Sequence, residues 1–442
     1  MPTTRATFST GLKVAIEDAY SVAPGTSGNS GWWQGGRWFD ITTDGLPDMD
    51  DRQATIFPQG QAGLRAMNNR PPVIGRKWSD GSFNYEITSD FITLLAYAAL
   101  GSLSSNMVPS TTFELLNDEP LADGTSKSLV LAAQPSDGGA ILRMWITDTS
   151  AAGWVSVSGI DAYGNGASEV VSFSSAGSFW TRTSFSAIGA SGIQVYSDNG
   201  GSITIQGVQA YQHIISVNET SNPSMSIERH GDPSAGATSK SRMHTGMVVQ
   251  SFSIDTPAEV RDGLVTGSVS LEGNPTATCT ATSLNAVSAV NVWPSWVLSL
   301  TRDGTAYNKV MNFSIEYTAG NRNYRTATGY QNPQGAVYLG QELTGSIDIL
   351  LNDETEYNRW QGASSNNIVA KWDSPHKLTS ASNQLIYASM NQLYFEDLSK
   401  GDADGLLNLT GNFRTINDAN NGLVKFLVRN NVPGVAYGNS VS

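Results

Sequence analysis

The residues able to do acid–base or metal chemistry are few and badly spaced. Four histidines, His213, His230, His244 and His376, and one cysteine, Cys279, are the candidate ligands and bases. None stands at a spacing that binds zinc or pairs a nucleophile with a base, so each histidine is expected on the surface, at a strand end or in a loop. The chain has no HExxH, no phosphate-cradling glycine loop ending in Lys-Ser/Thr and no nucleophile-elbow serine. Carboxylates are plentiful enough for a glycosidase pair, but nothing in the sequence selects two of them. Asp402-Ala403-Asp404-Gly405 resembles half of a calcium loop without the later carboxylates, and reads as a turn; Asp48, Asp50 and Asp51 read as a solvated turn. Trp32, Trp33, Trp38 and Phe39 could stack on sugars, although packing in a core or interface is the commoner fate of such a cluster. The expectation is a non-enzyme with no catalytic residue, no cofactor and no metal.

What remains is charge. The 442 residues carry 26 basic and 39 acidic side chains, a net −13, and charged residues make up only 15%. No Lys/Arg cluster exists to neutralise phosphates, which argues against sequence-specific nucleic-acid binding. Mixed charges gather in two loops, Glu259, Arg261 and Asp262 in residues 255–263, and Glu396, Asp397, Lys400, Asp402 and Asp404 in residues 396–405. Residues 1–20 lack the apolar core of a secretory signal, and the uncharged run 273–301 is broken by Pro275 and Pro294. With a single cysteine, the chain reads as a soluble protein folding in a reducing cytoplasm, without membrane insertion.

The loops must be held by strands. Val248, Phe252 and Ile254 (with Gln250 among them) give one face of a first arm. Val265, Val269 and Leu271 alternate with Thr266, Ser268 and Ser270 in a second, which predicts one β-hairpin over 246–273 with a buried and a wet face. The signature Asp262-Gly263 to Thr266-Gly267-Ser268 returns as Asp404-Gly405 to Thr410-Gly411-Asn412, whose partner arm runs from Leu385 to Phe395. Before each hairpin comes strand, cap, helix, glycine. In the first copy, short strands flank a turn at Ser79-Asp80-Gly81; Thr88-Ser89-Asp90 then caps a helix with Phe91, Leu94, Leu95 and Ala98 on one face, and Gly101 ends it. In the second, the strands 310–317 and 342–351 precede a cap at Asn352-Asp353, with Tyr357 and Trp360 inward and Gly362 as the stop. Leu343-Thr344-Gly345-Ser346-Ile347 is a third echo of the Thr-Gly-Ser signature.

Residues 121–217 differ, with short strands at regular turn spacing and no helix signal, as in an immunoglobulin-like β-sandwich. The fold class expected is therefore mainly β: two copies of a β-sandwich or barrel module, each with a short α-helix, plus the inserted sandwich. The boundaries are 1–120 and 218–275 for the first module, 121–217 for the insert and 276–442 for the second module.

Three stretches resemble the tail tube proteins of tailed bacteriophages: Gly11-Leu12-Lys13 to Glu17 leading to Tyr20 and Pro24; Val73-Ile74-Gly75 through Leu94 to Gly101; and Met225-Ser226-Ile227-Glu228-Arg229 with 246–252 and Thr266-Gly267-Ser268. The resemblance covers about three-quarters of the chain, all but the insert, and is looser in the C-terminal copy. It implies a structural virion protein of the tail, assembled in the host cytoplasm, whose hairpins pair edge to edge into rings that stack as a tube. Two modules per chain imply a trimeric, pseudo-sixfold ring in preference to a hexamer. Further partners implied are the tape measure, terminator and distal tail proteins, with double-stranded DNA passing non-specifically through an acidic lumen. Gln250, Thr266, Ser268, Ser270, Thr410 and Asn412 would face that lumen, and the two charged loops would meet the next ring. The rival readings are a carbohydrate-binding β-sandwich protein and another virion component, of fibre or baseplate.

Overall fold

The structure, a computed structural model, describes residues 12–17, 37–39, 48–56, 73–108, 112–135, 140–147, 152–161, 166–181, 184–218, 220, 222–229, 240–257, 263–275, 277–280, 293–324, 332–337, 339–351, 354–379, 382–403, 406–419, 422–432 and 437. It is mainly β and falls into two compact units. The first comprises residues 1–102, 216–370 and 389–425, and the second 103–215, 371–388 and 426–442.

The first unit is built on one antiparallel sheet. From one edge, Asp48–Ile56 pairs with Val73–Glu86, which pairs with Thr266–Gly273, which pairs with Lys240–Pro257. The sheet continues without a break: Ser251 to Pro257 register against Thr318 to Asn312 of the strand Val310–Thr318. Glu342–Leu350 comes next, then Leu406–Thr415, flanked by Ser399–Ala403 and by residues 393–395. The second half therefore repeats the strand order of the first. In each, the second strand leads into a helix and the third strand is the last in sequence.

Alternation sorts the side chains as period-2 geometry requires. One face carries Phe83, Tyr85, Val269, Phe252, Ile254, Phe313, Ile315, Tyr317, Leu343, Ile347, Leu409 and Phe413, all buried. The first helix, Ser89–Leu100, packs Phe91 edge-on against Tyr85 at 4.8 Å. Its ends are as the sequence predicts: Thr88 Oγ1 accepts from Phe91 N at 3.2 Å, and Gly101 closes it at φ 88°.

Lys240–Pro257 is long enough, at 18 residues, to serve two sheets. Its first part pairs with Met225–Arg229 and Ala277–Thr280, and Met225–Arg229 pairs in turn with Leu12–Ile16. The change of direction falls at Gly246, whose φ of 62° suits glycine. A buried carboxylate holds that bend. Glu17 accepts from Gly246 N at 2.9 Å and from the hydroxyls of Ser226 and Ser224 at 2.6 and 2.5 Å.

Several expectations are corrected. The turn at Ser79-Asp80-Gly81 does not form, because those residues are paired on both sides within the 14-residue strand Val73–Glu86. Asp48, Asp50 and Asp51 are strand residues, not a solvated turn. The second helix, Thr355–Gln361, has N-cap Glu354 and no side-chain cap; Asn352 and Asp353 lie outside the described residues. Its Tyr357 and Trp360 are only half-buried, and the residue it buries is Glu356, ion-paired to Arg302.

The second unit contains a sandwich of two sheets. Thr112–Pro120, Ser202–Val208, Ile141–Ile146 and Gly177–Trp180 lie side by side in one. Gly166–Phe173, Gly153–Asp161 and Phe185–Ser197 form the other, with Thr125–Leu129 alongside Phe185–Ser197. Leu142, Met144, Ile203 and Ile205 from the first sheet meet Val155, Val157, Phe185 and Val195 from the second in one core. First and last strands are neighbours, and the connections cross between sheets. That is the double-Greek-key order of a jelly roll rather than the immunoglobulin order expected from the turn spacing. Turn spacing reports short strands and a two-sided core; it does not report which strand a chain returns to. The sandwich also begins earlier than residue 121, since Thr112–Pro120 is one of its strands.

Candidate functional site: a polar sheet face

The wet face of the long sheet is a grid of short polar side chains, set in rows by the strand registers. One row runs Glu86, Thr266, Asp255, Ser314, Ser346 and Asn412. The next runs Asn84, Ser268, Ser253, Glu316, Thr344 and Arg414. Ser82, Ser270, Ser251, Thr318 and Glu342 form a third. Directly opposed residues of antiparallel strands share a face, so these side chains line one surface. A shallow open groove of about 440 Å³ runs over its middle, past Ser253, Asp255, Ser268, Ser346 and Asn412.

Hydroxyls knit the surface together. Ser314 and Ser346 are bonded at 2.8 Å, Ser253 and Ser268 at 3.1 Å, and Ser253 Oγ donates to Asp255 at 2.8 Å. Burial raises the Asp255 carboxyl above its ordinary range, against the lowering effect of the Ser253 bond. The carboxylates of these three rows are Glu86, Asp255, Glu316 and Glu342, with Asp48 registered beside Ser82, and Arg414 is the cation in them.

Two glycines keep the opposite face closed. A Cβ on Gly267 would lie 2.6 Å from the Tyr85 ring and 2.2 Å from Ser253 O. A Cβ on Gly345 would lie 2.3 Å from both the Phe413 ring and Ser314 O. In each half an aromatic ring covers a glycine on the next strand, with Thr and Ser on either side of that glycine facing the polar surface. Thr266-Gly267-Ser268 and Thr344-Gly345-Ser346 share that arrangement; Gly411, in the copy Thr410-Gly411-Asn412, lies instead against Asp397 O and Leu398.

The residues expected from the sequence to face a lumen lie on or beside this polar face. Ser268, Thr410 and Asn412 are exposed, and Thr266 and Ser270 half-buried. Gln250 reaches the surface only through a register shift between Val249 and Ser251; its Nε2 donates to Glu272 at 2.6 Å. The charged loops fare differently. Glu259, Arg261, Asp262 and Asp404 lie outside the described residues, as does the Asp402 side chain. Residues 396–405 are not one open loop, because Ser399–Ala403 is a strand paired with 406–410. Asp397 is turned back on the sheet, accepting from Asn412 N at 2.7 Å and Asn412 Nδ2 at 3.0 Å. Glu396 pairs with Arg414 at 2.8 Å, and Lys400 Nζ stands 5.0 Å from the Tyr357 ring.

The histidine expectation is overturned for two of the four. His213 and His244 are fully buried in strands. His244 Nδ1 meets Ser79 Oγ at 2.9 Å. In the second unit, His213 bonds Ser105 Oγ at 2.8 Å and Asn430 Oδ1 at 2.9 Å, and Asn430 bonds Tyr437 at 2.9 Å. The cluster ties Tyr211–Val217 to the strand Lys425–Asn430. His230 and the His376 side chain lie outside the described residues, as do the side chains of the 32–39 aromatic cluster.

Residues 7–394 match the family model of phage tail tube proteins, and the chain belongs to that family, which makes it a component of the virion tail. The match runs through 121–217, the segment that the resemblance in sequence leaves out. No curated protein matches the chain.

Proposed function

We propose that the chain polymerises as rings of three copies, stacked into the tail tube, and that the polar face of the long sheet lines a channel for double-stranded DNA. The observation that carries this is the junction inside the chain. Ser251–Pro257, the end of the first half, pairs with Asn312–Thr318, the start of the second, over seven consecutive registers. It is a head-to-tail joint, and a head-to-tail joint repeated between chains gives a ring where its rotation closes. Asp48–Ile56 and Ser399–Ala403 are left at the two ends of the sheet, each with one registered partner among the described residues. Pairing the second edge of one chain with the first edge of the next would remove both edges, which otherwise invite aggregation.

Three chains would close roughly 24 strands into a circle of backbone roughly 50 Å across, at a strand spacing of about 4.8 Å and a tilt of about 40°. A wall of Ser, Thr and Asn with interspersed carboxylates repels phosphate while staying hydrated. The strand order supports a duplicated module, joined covalently where separate subunits would meet. Assembly in the host cytoplasm alongside tape measure, terminator and distal tail proteins belongs to the same reading, and the charged segments 255–263 and 396–405 are proposed as contacts between rings. The jelly roll is proposed as an accessory, since its entry and exit are adjacent: Val108 N donates to Ala210 O at 3.0 Å. Replacing 109–209 with a short Gly/Ser link is expected to leave tubes intact.

Electron microscopy of the purified protein tests the reading. Rings or tubes of three chains per layer are expected; compact monomers or fibres at all concentrations would refute it.

A further inference from the structure

Arg414 is out of character with its surroundings. It projects from Leu406–Thr415 into the row of Asn84, Ser268, Glu316 and Thr344, on a surface otherwise made of hydroxyls, amides and carboxylates. A guanidinium is the side chain best shaped to hold a phosphate, two N–H groups to two oxygens. On a surface that must let phosphates pass, it would be a brake.

The structure shows what occupies it. Arg414 Nη2 pairs with Glu342 at 2.9 Å, and its Nε pairs with Glu396 at 2.8 Å. The carboxylates come from both flanks: Glu342 from the neighbouring strand, Glu396 from the turn after residues 393–395. Nε and Nη2 flank one edge of the guanidinium, and the two carboxylates occupy that edge between them. The side chain is nevertheless half open to solvent, at 52% exposure, so a phosphate could reach it if a carboxylate were gone.

Exposed ion pairs of this kind contribute little to folding. Their consequence here is for what the surface binds. We propose that Glu342 and Glu396 cage Arg414, and that Arg414 is a latent phosphate site on the channel wall, which the two carboxylates keep closed to a passing duplex. The proposal rests on the reading that this face lines the channel.

The test compares three assemblies: the parent, E342Q/E396Q, and E342Q/E396Q/R414Q. Each is incubated with a fluorescent 30-base-pair duplex across a salt series and pelleted. The parent is expected to retain only a low background of duplex. E342Q/E396Q is expected to retain roughly tenfold more at low salt, with retention falling as salt rises. The triple variant is expected to return to the parent value. Equal retention by parent and double variant overturns the proposal. So does retention that persists in the triple variant, because lost acidity rather than Arg414 would then explain it. E396Q alone, at an exposed turn, carries the same comparison if the double variant does not assemble. A separate arm tests the wall reading: Ser268→Cys in assembled tubes, treated with a small maleimide and with one attached to a dextran too large to enter. Modification by the small reagent alone, located by mass spectrometry because Cys279 is a second thiol, places the row inside the channel. Modification by both overturns the wall reading and the proposal with it, whatever the duplex does.

Discussion

Beneath the first half of the long sheet lies a 12-residue helix whose Phe91, Leu94, Leu95 and Ala98 are buried, with a side-chain cap at one end and a left-handed glycine at the other. Beside the second half lies a helix of 7 residues whose one buried side chain is a glutamate. The first is held by apolar contact. The second is held by charge: Arg302 to Glu356, Arg359 to Asp303 at 2.9 Å, and Arg359 to Asn366 at 2.8 Å. Strand order, by contrast, is the same in both halves, and each half covers a glycine with an aromatic ring. What the two halves share is the backbone arrangement that makes edges meet. What differs is the support behind it, which can diverge so long as the sheet stays in register.

The sharpest way to break this comparison is to attack each support by its own chemistry. Phe91→Ala should cost about 3–5 kcal/mol, through lost burial and the cavity left under Tyr85. Arg302→Met should cost a similar amount, about 3–5 kcal/mol, because it strands a buried Glu356 carboxylate. Adding Glu356→Leu to that variant should recover most of the loss, whereas the loss in Phe91→Ala is of apolar contact and removing a charge would not restore it. Denaturant melts of the single and double variants decide it. If the double is no better than Arg302→Met, the second helix is not held by that pair.

The glycines come next in size. Gly267→Ala and Gly345→Ala each push a methyl against a backbone oxygen and an aromatic ring. Each should cost about 1–3 kcal/mol. Matching losses would sharpen the parallel between the halves. A neutral Gly345→Ala beside a costly Gly267→Ala would break it.

The smallest effect concerns Asp255, beside the joint between the halves. Burial raises its carboxyl in the folded chain, so the folded state holds that proton more tightly than the unfolded one. Its contribution to stability is therefore best at low pH, and is lost as pH rises from the ordinary carboxylate range through the raised value. Asp255→Asn should flatten that part of the stability–pH curve and gain slightly at neutral pH. An unchanged slope would mean that Asp255 is adequately solvated.

Much of this surface was legible in the sequence, for a simple reason. Thr266, Ser268 and Ser270 alternate with apolar residues, and alternation is a direct statement about faces. The first helix was legible because Thr88 and Gly101 mark its ends by local chemistry. The second helix was not, because its hold on the fold is an ion pair to Arg302, 54 residues away. Gln250 fell in the apolar phase of its strand, since a register shift leaves no mark on a one-dimensional pattern. His213 and His244 looked like surface residues because their partners, Asn430 and Ser79, are 217 and 165 residues distant. The jelly-roll order was hidden for the same reason. Pairing between first and last strands is a long-range fact, and turn residues carry only short-range ones.

The central claim is that the seven-residue joint between Ser251–Pro257 and Asn312–Thr318 is the covalent counterpart of a joint between chains. The copy number of one ring tests it most directly, by native mass spectrometry of isolated rings. Three chains per ring are predicted, because the strand order of the long sheet occurs twice in each chain and the account takes each occurrence as one repeating unit of the ring. Six chains per ring would contradict the account, since the internal joint would then not be the one that repeats around the ring.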